Sequence, residues 1–380
     1  MFDLLQTAHL NILIGKVVPR PASLEVMEHF VSAEIAVSDR ERSGFELVFE
    51  AVRAGELAGV FPIMAEPGLK AGARVVLTAY LGIRPTVLMD GIIETAEFKP
   101  AEGDGPAKLQ VRGKDLSFAM DREEREVSHP AQGPGDIARL VLLRYASLGV
   151  LPLVIDPPTA ERPAPTDRVP MQRGTDFAYL TELAKAHDRI FTLIPGPAPL
   201  TSTAYWGPLP RLGVPQPAVS TDMGTETNVS GLNFENNEAD AARVTGQVKD
   251  RQTGQSVPVR STVPLRPPLA AKPALANRTT AQTKLFKTRG APNAADALGQ
   301  AQAQSDATTD TVTVTGDLDT AQYGHILTPR GLVGLRGAGT ENDGLYYVQS
   351  VVQKIGRGKW VQSFKLNREG VGTTTPVVLP

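Results

Sequence analysis

The chain has 380 residues, with 39 basic and 41 acidic side chains, five His, no Cys and a net charge of −2. Near-neutrality argues against a protein that coats nucleic acid, which needs excess Lys and Arg against phosphate. The missing cysteines exclude disulfides, thiolate zinc sites, iron–sulfur ligation and a cysteine nucleophile. Glycine (35) and proline (31) make up about one residue in six, against a usual one in eight, which predicts a turn-rich, β-leaning chain of two or three domains. The run from Met1 to Gly15 is interrupted by His9 and Asn11 and has no early Lys or Arg, so it reads as a poor secretory signal. No apolar stretch reaches the ~18–20 residues of a membrane span. The expectation is a soluble chain made in the cytoplasm, with no membrane insertion.

From Ser23 to Asp121 the pattern is strand-like. Leu24–Val37, which alternates in part, Phe45–Val52, with Phe45, Leu47 and Phe49 on one face, Arg74–Leu81, Thr86–Phe98 and Lys108–Gly113 read as strands, with a turn by composition at Lys99–Pro106. Antiparallel strands with one apolar face predict a sandwich or small barrel. The texture changes near Glu123. Asp136 is placed to cap a helix carrying Ile137, Leu140, Val141 and Leu148, stopped by Gly149. A second helix starts at Thr175-Asp176, carries Phe177, Leu180, Leu183 and Ala184, and is followed by a strand at Arg189–Ile194. The stretch between them holds Pro157, Pro158, Pro163, Pro165 and Pro170 and reads as an extended linker.

A second proline-rich segment, Pro195–Pro217, encloses Tyr205-Trp206-Gly207, and strand signals resume from Thr225 to Val248, with Asn-rich loops. Gln255 to Asp310 is low in complexity and reads as an insertion or mobile arm, with a helix over Asn293–Gln304. Strands follow at Thr311–Thr315 and Ile326–Leu335. A hairpin then runs from Leu345 to Ile355, turns at Gly356-Arg357-Gly358, and returns through Lys359–Asn367 with Trp360, Gln362, Phe364 and Leu366 on one face.

Candidates for chemistry are thin. His9, His29, His129, His187 and His325 are scattered without metal-ligand spacing, and no G-x-S-x-G elbow is present. Gly331–Gly337 lacks the Lys-Ser/Thr ending of a phosphate loop and reads as a strand with glycine bends. Glu123, Glu124 and Glu126 beside Arg122 and Arg125 read as a solvated face, and Asp310, Asp317 and Asp319 lack the spacing of a calcium loop. Trp206 and Trp360 fit carbohydrate platforms, interface anchors or buried structural roles.

The order of features is more specific than any one of them. A β domain ends in Leu109-Gln110-Val111-Arg112-Gly113-Lys114-Asp115-Leu116-Ser117. Helices begin at Gly135-Asp136-Ile137-Ala138 and at Thr175-Asp176-Phe177-Ala178-Tyr179-Leu180, the latter passing through Leu183-Ala184-Lys185 to Arg189-Ile190-Phe191. Tyr205-Trp206-Gly207 follows, and Gly344-Leu345-Tyr346-Tyr347-Val348 leads to Phe364-Lys365-Leu366-Asn367-Arg368. This order resembles the baseplate hub family of contractile phage tails and injection systems: late control D proteins, the T4 gene 27-type hub and the hub portion of VgrG-type spikes.

The resemblance implies a mainly β fold with a small α/β part: two tube-type antiparallel β-barrel domains and a peripheral helical domain, assembled as a pseudo-sixfold trimeric ring. It places the first barrel at 1–118, the peripheral domain at 119–217, the second barrel in two segments at 218–255 and 310–370, the insertion at 256–309 and a tail at 371–380. The implied function is a structural hub, not an enzyme and without cofactor, that adapts a sixfold tail tube to a threefold spike. Because the sequence ends soon after Arg368, the spike is expected on a separate chain, and no muramidase activity is expected here. Implied partners are a homotrimer, the spike, a tail-tube or tube-initiator protein, baseplate wedge or adaptor proteins and a tape-measure protein, in a phage tail, tailocin or injection particle. Interface positions are expected at Tyr205, Trp206, Tyr346, Arg357 and Trp360. The alternatives are an extracellular glycan-binding β protein using Tyr205, Trp206 and Trp360, and a hydrolase using scattered Asp and His.

Overall fold

The computed structural model describes residues 8–16, 18–53, 61–82, 84–103, 105–158, 162–166, 168–250, 253–261, 264, 266–277, 279–287 and 293–375. The alternating segments form strands because every second side chain finds a core. In Gly44–Ala51 the buried residues are Phe45, Leu47, Phe49 and Ala51. In Lys359–Arg368 they include Trp360, Gln362, Phe364 and Leu366.

The chain contains the same six-stranded unit twice. Unit one takes, in chain order, Ala8–Gly15, Phe30–Ser38, Gly44–Ala51, Arg74–Leu81, Arg84–Lys99 and Ala107–Asp115; unit two takes Gln216–Ser220, Val229–Asn236, Val312–Asp319, Leu332–Arg336, Gly344–Gly356 and Lys359–Arg368. In both, the spatial order is second, third, sixth, fifth, fourth, first. The long fifth strand is bulged at the same place, after Ile93 and after Val348, and pairs with the fourth strand through its first half and with the sixth through its second. Short helices also recur: Leu24–Glu28 and the 3-10 turn Gly224–Glu226 precede the second strands, and Pro62–Ala65 and Thr320–Tyr323 follow the third. One pairing differs. The first and fourth strands run antiparallel in unit one and parallel in unit two.

The two units are one sheet. The second strand of unit one pairs antiparallel with the second half of unit two's fifth strand, from Ser38 opposite Ser350 to Ser32 opposite Gly356. Each unit keeps its own core, the first around Ile35, Leu47, Phe49, Leu77 and Val111, the second around Val314, Val348, Val351, Phe364 and Leu366. Close backbone packing in unit one depends on Gly113, where a Cβ would meet the Phe45 ring at 2.4 Å.

Between the units lies an α/β domain. Ile190–Pro195 runs antiparallel to Ser202–Gly207, which is parallel to Val150–Val154, under the helices Pro134–Leu143 and Asp176–Ala186. The first helix starts three residues earlier than its sequence predicts. Gly133 is the cap residue, and the Asp136 carboxylate accepts from the Gly133 amide at 3.3 Å. It also ends at Leu143; Leu148 belongs to a separate 3-10 turn closed by Gly149 at φ 79°.

Two further expectations are corrected and one is refined. Leu24–Glu28 is helix rather than strand, because the Ser23 side chain accepts from the Val26 amide and caps it. The Thr225–Val248 run splits into Val229–Asn236 and Ala242–Lys249 around a 3-10 turn at Glu238–Asp240. The low-complexity stretch is folded rather than a loose arm over its described residues. Ala242–Lys249 pairs with Ser256–Arg260 and Gln282–Leu285, and the helix Ala294–Asp306 lays Ala297 and Ala301 on Val244, Val248 and Val259. Alanine in low-complexity sequence here is a core residue that lets helix and sheet approach closely.

Candidate functional site

The joint between the units is the place where chemistry from distant parts of the chain converges. Lys354 lies opposite Glu34 across it. At the hairpin turn, Arg357 donates to the carbonyls of Phe30 at 3.3 Å and Glu28 at 3.2 Å. Ile355 and Trp360 from unit two are buried in the core of unit one, with Trp360 Nε1 donating to Gln353 Oε1 at 2.8 Å.

Beside the joint, buried charges tie every part of the chain together. Asp310 accepts from Arg211 and, at 2.8 Å, from Arg40, and lies 3.5 Å from Arg266. Arg211 also bridges Glu369 at 2.7 Å, and Arg266 bonds Asp188 of the α/β domain. Burial acts to raise the Asp310 pKa, but the guanidiniums of Arg211, Arg266 and Arg40 outweigh it and hold the carboxyl below its ordinary value.

A second cluster centres on Arg330, whose backbone sits in the left-handed region at φ 66°. Its guanidinium donates to the Ser38 carbonyl at 3.4 Å and to Thr192 Oγ1 at 3.0 Å, so unit two touches unit one and the α/β domain through one side chain. Tyr347 donates to Asp39 Oδ2 at 2.8 Å, and Asp115 accepts from the Ser117 amide at 3.0 Å. A cavity of about 540 Å³ opens here, lined by Asp39, Asp115, Thr181, Arg189, Phe191 and Arg266 among others.

Burial pushes Asp115 up to about 6 from 3.8. A carboxyl whose folded pKa is raised adds no cost below pH 3.8 and its full cost above about 6. Asp115→Asn keeps the acceptor for Ser117. It is expected to stabilise the chain by about 1–3 kcal/mol at pH 7–8, with the gain vanishing near pH 4. Thermal unfolding across that range checks this; a gain independent of pH overturns it.

Among the sheet edges left open in the described residues, two correspond to the two sides of the internal joint. The second half of unit one's fifth strand, Glu94–Lys99, pairs with the sixth strand on one side only. The second strand of unit two, Val229–Asn236, pairs with the third strand on one side only. The sheet face turned away from the cores is polar and carries both signs, with Arg112 on Glu46 at 2.6 Å and Lys114 on Glu94 at 3.2 Å.

The five residues expected at interfaces fall in three places. Arg357 and Trp360 sit together at the joint. Tyr205 and Trp206 are in the α/β domain, where Trp206 is fully buried and donates to the Leu180 carbonyl at 3.2 Å. Tyr346 is buried in unit two under Arg368. Neither tryptophan presents a ring to solvent as a sugar platform. Sequence reading missed Asp310, Arg211, Glu369 and Arg330, which no spacing could reveal, since Arg211 and Glu369 lie 158 positions apart. Among the described residues, no group of three or more His, Asp or Glu side chains is placed to hold a metal ion.

Solved structures share this arrangement over nearly the whole chain. A tail protein from Neisseria meningitidis MC58 superposes with a TM-score of 0.64 at 14% identity, over 96% of this chain and 98% of that one. The fold is that of phage tail proteins. The 43 kDa tail protein of prophage MuSo2 from Shewanella oneidensis gives 0.61 at 12% identity, over 96% and 99%. An E. coli component of the type VI secretion system, itself structurally similar to the T4 tail proteins gp27 and gp5, gives 0.54 at 11%, over 92% and 77%. No protein-family model matches the chain, and no curated protein matches it.

Proposed function

We propose that this chain is a structural baseplate hub, three copies of which close into a pseudo-sixfold ring of tube-type β-barrel units between a sixfold tail tube and a threefold spike. The observation that carries this reading is the duplication. One chain supplies two like units already joined edge to edge, so three copies suffice for six units. Closing the ring covers Glu94–Lys99 and Val229–Asn236, edges that otherwise invite uncontrolled pairing. The shared fold with phage tail and type VI secretion proteins supports the setting, a phage tail, tailocin or injection particle. In it the polar sheet face lines the lumen, and the tube or tube-initiator, wedge or adaptor, and tape-measure proteins are the proposed neighbours.

The test is native mass measurement and electron cryo-microscopy of the full chain with and without the neighbouring spike protein. Three-chain particles with threefold symmetry are expected. A stable single chain at micromolar concentration in both conditions overturns the hub reading.

A further inference from the structure

We propose that the ring closes by pairing Val229–Asn236 of one copy with Glu94–Lys99 of the next, in the register of the joint inside the chain, and that this closing joint sets Phe98 against Phe234 and Glu97 against Glu235. The inference rests on the hub reading and specifies the surface through which one copy recognises another.

The register follows from the duplication itself. The fifth strands correspond through their shared bulge: Thr95, opposite Arg112, takes the place of Ser350, opposite Lys365. The second strands correspond through their partners: Phe234 faces Val314, which faces Leu366, as Ile35 faces Phe45, which faces Gly113. Gly113 and Leu366 occupy the same position, each opposite the residue before the bulge. Inside the chain Gln353 pairs with Ile35 and Val352 with Ala36. The same steps between copies place Phe98 opposite Phe234 and Glu97 opposite Glu235.

The transfer passes a parity check that it did not have to pass. Phe98 packs against the core of unit one and Phe234 against that of unit two, so the pair joins two apolar faces. Glu97 and Glu235 are both exposed and fall together on the polar face. A shift by one residue would set apolar against polar along the whole joint.

The closing joint therefore differs from the internal one. Pro100 and Ala107 stand where Ile355 and Trp360 stand, and two carboxylates face each other where Val352 faces Ala36. Glu97 has Arg112 at 3.9 Å, but Arg112 is already held by Glu46 at 2.6 Å; Glu235 accepts from Asn237 at 2.9 Å. Like charges directly opposed weaken a strand pair. Closure is expected to tighten as salt rises, the reverse of a joint held by opposite charges.

The chain has no cysteine, so disulfide trapping reads the register directly. In the full chain, Glu97→Cys with Glu235→Cys is expected to give a covalent ladder ending at three chains on oxidation, while the offset pair Glu97→Cys with Asn233→Cys gives none. Glu235→Gln is expected to tighten association about two- to fivefold per joint in sedimentation at low salt. Threefold particles in which the offset pair links, or neither pair links, overturn this register and leave the hub reading standing. Absence of any multi-chain species in every variant, with the spike protein present, overturns both.

Discussion

Asp310→Ala is expected to lower stability by about 3–5 kcal/mol, seen as a fall of roughly 5 °C in the unfolding midpoint. The carboxylate is 2% exposed and faces Arg211, which is 1% exposed. Removing it leaves the Arg211 guanidinium sharing Glu369 and the Arg266 guanidinium beside Asp188, two largely buried cations short of one carboxylate. The loss should not come from charge in general. Opening the Arg173–Glu126 pair, whose side chains are 77% and 68% exposed, is expected to cost under about 1 kcal/mol. Because the damage is an orphaned cation rather than a lost attraction, Asp310→Leu with Arg211→Met is expected to recover a large share of the stability. A cost below about 1 kcal/mol for Asp310→Ala would show that the network does not hold these parts together.

Much of the fold was legible because it repeats short-range rules. The 344–368 hairpin announced itself by two-residue alternation and by glycines at Gly356 and Gly358. The helix from Thr175 announced itself by a hydroxyl cap followed by a one-sided apolar stripe. What misled was local chemistry overriding pattern. Ser23 caps a helical turn inside a strand-like run, and Gly133 takes the capping place from Asp136. The alanine-rich stretch reads as an insertion or mobile arm because its core is small rather than absent. The joint was harder still. That the 30–38 and 344–356 strands are neighbours is a fact about sheet edges more than 300 residues apart. The arginines and acids around Asp310 follow no period. Arg357 and Trp360 were singled out as interface residues, yet nothing in their sequence surroundings says that the surface they meet inside the chain is its own first unit.

Trp360→Ala is expected to cost about 3–5 kcal/mol, the usual range for deleting a buried tryptophan, and to do so at a particular place. The indole is part of unit one's core although it belongs to unit two's sixth strand, and its Nε1 hydrogen bond to Gln353 fixes the residue that pairs with Ile35. Truncation leaves a cavity on unit one's side, and Gln353 loses its indole donor while keeping its bond to Gln362 Oε1 at 3.0 Å. The backbone amides of the 30–38 strand should therefore exchange hydrogen faster at the joint, while those of the 312–319 ladder with the sixth strand keep their protection. Trp360→Phe retains most of the volume and loses only the Gln353 bond, so it is expected to recover most of the stability. Exchange that rises equally across both ladders would mean that Trp360 supports unit two as a whole and that the two units are held together elsewhere. Selective opening would identify this one side chain as the bolt that makes two repeated units behave as a single piece of ring.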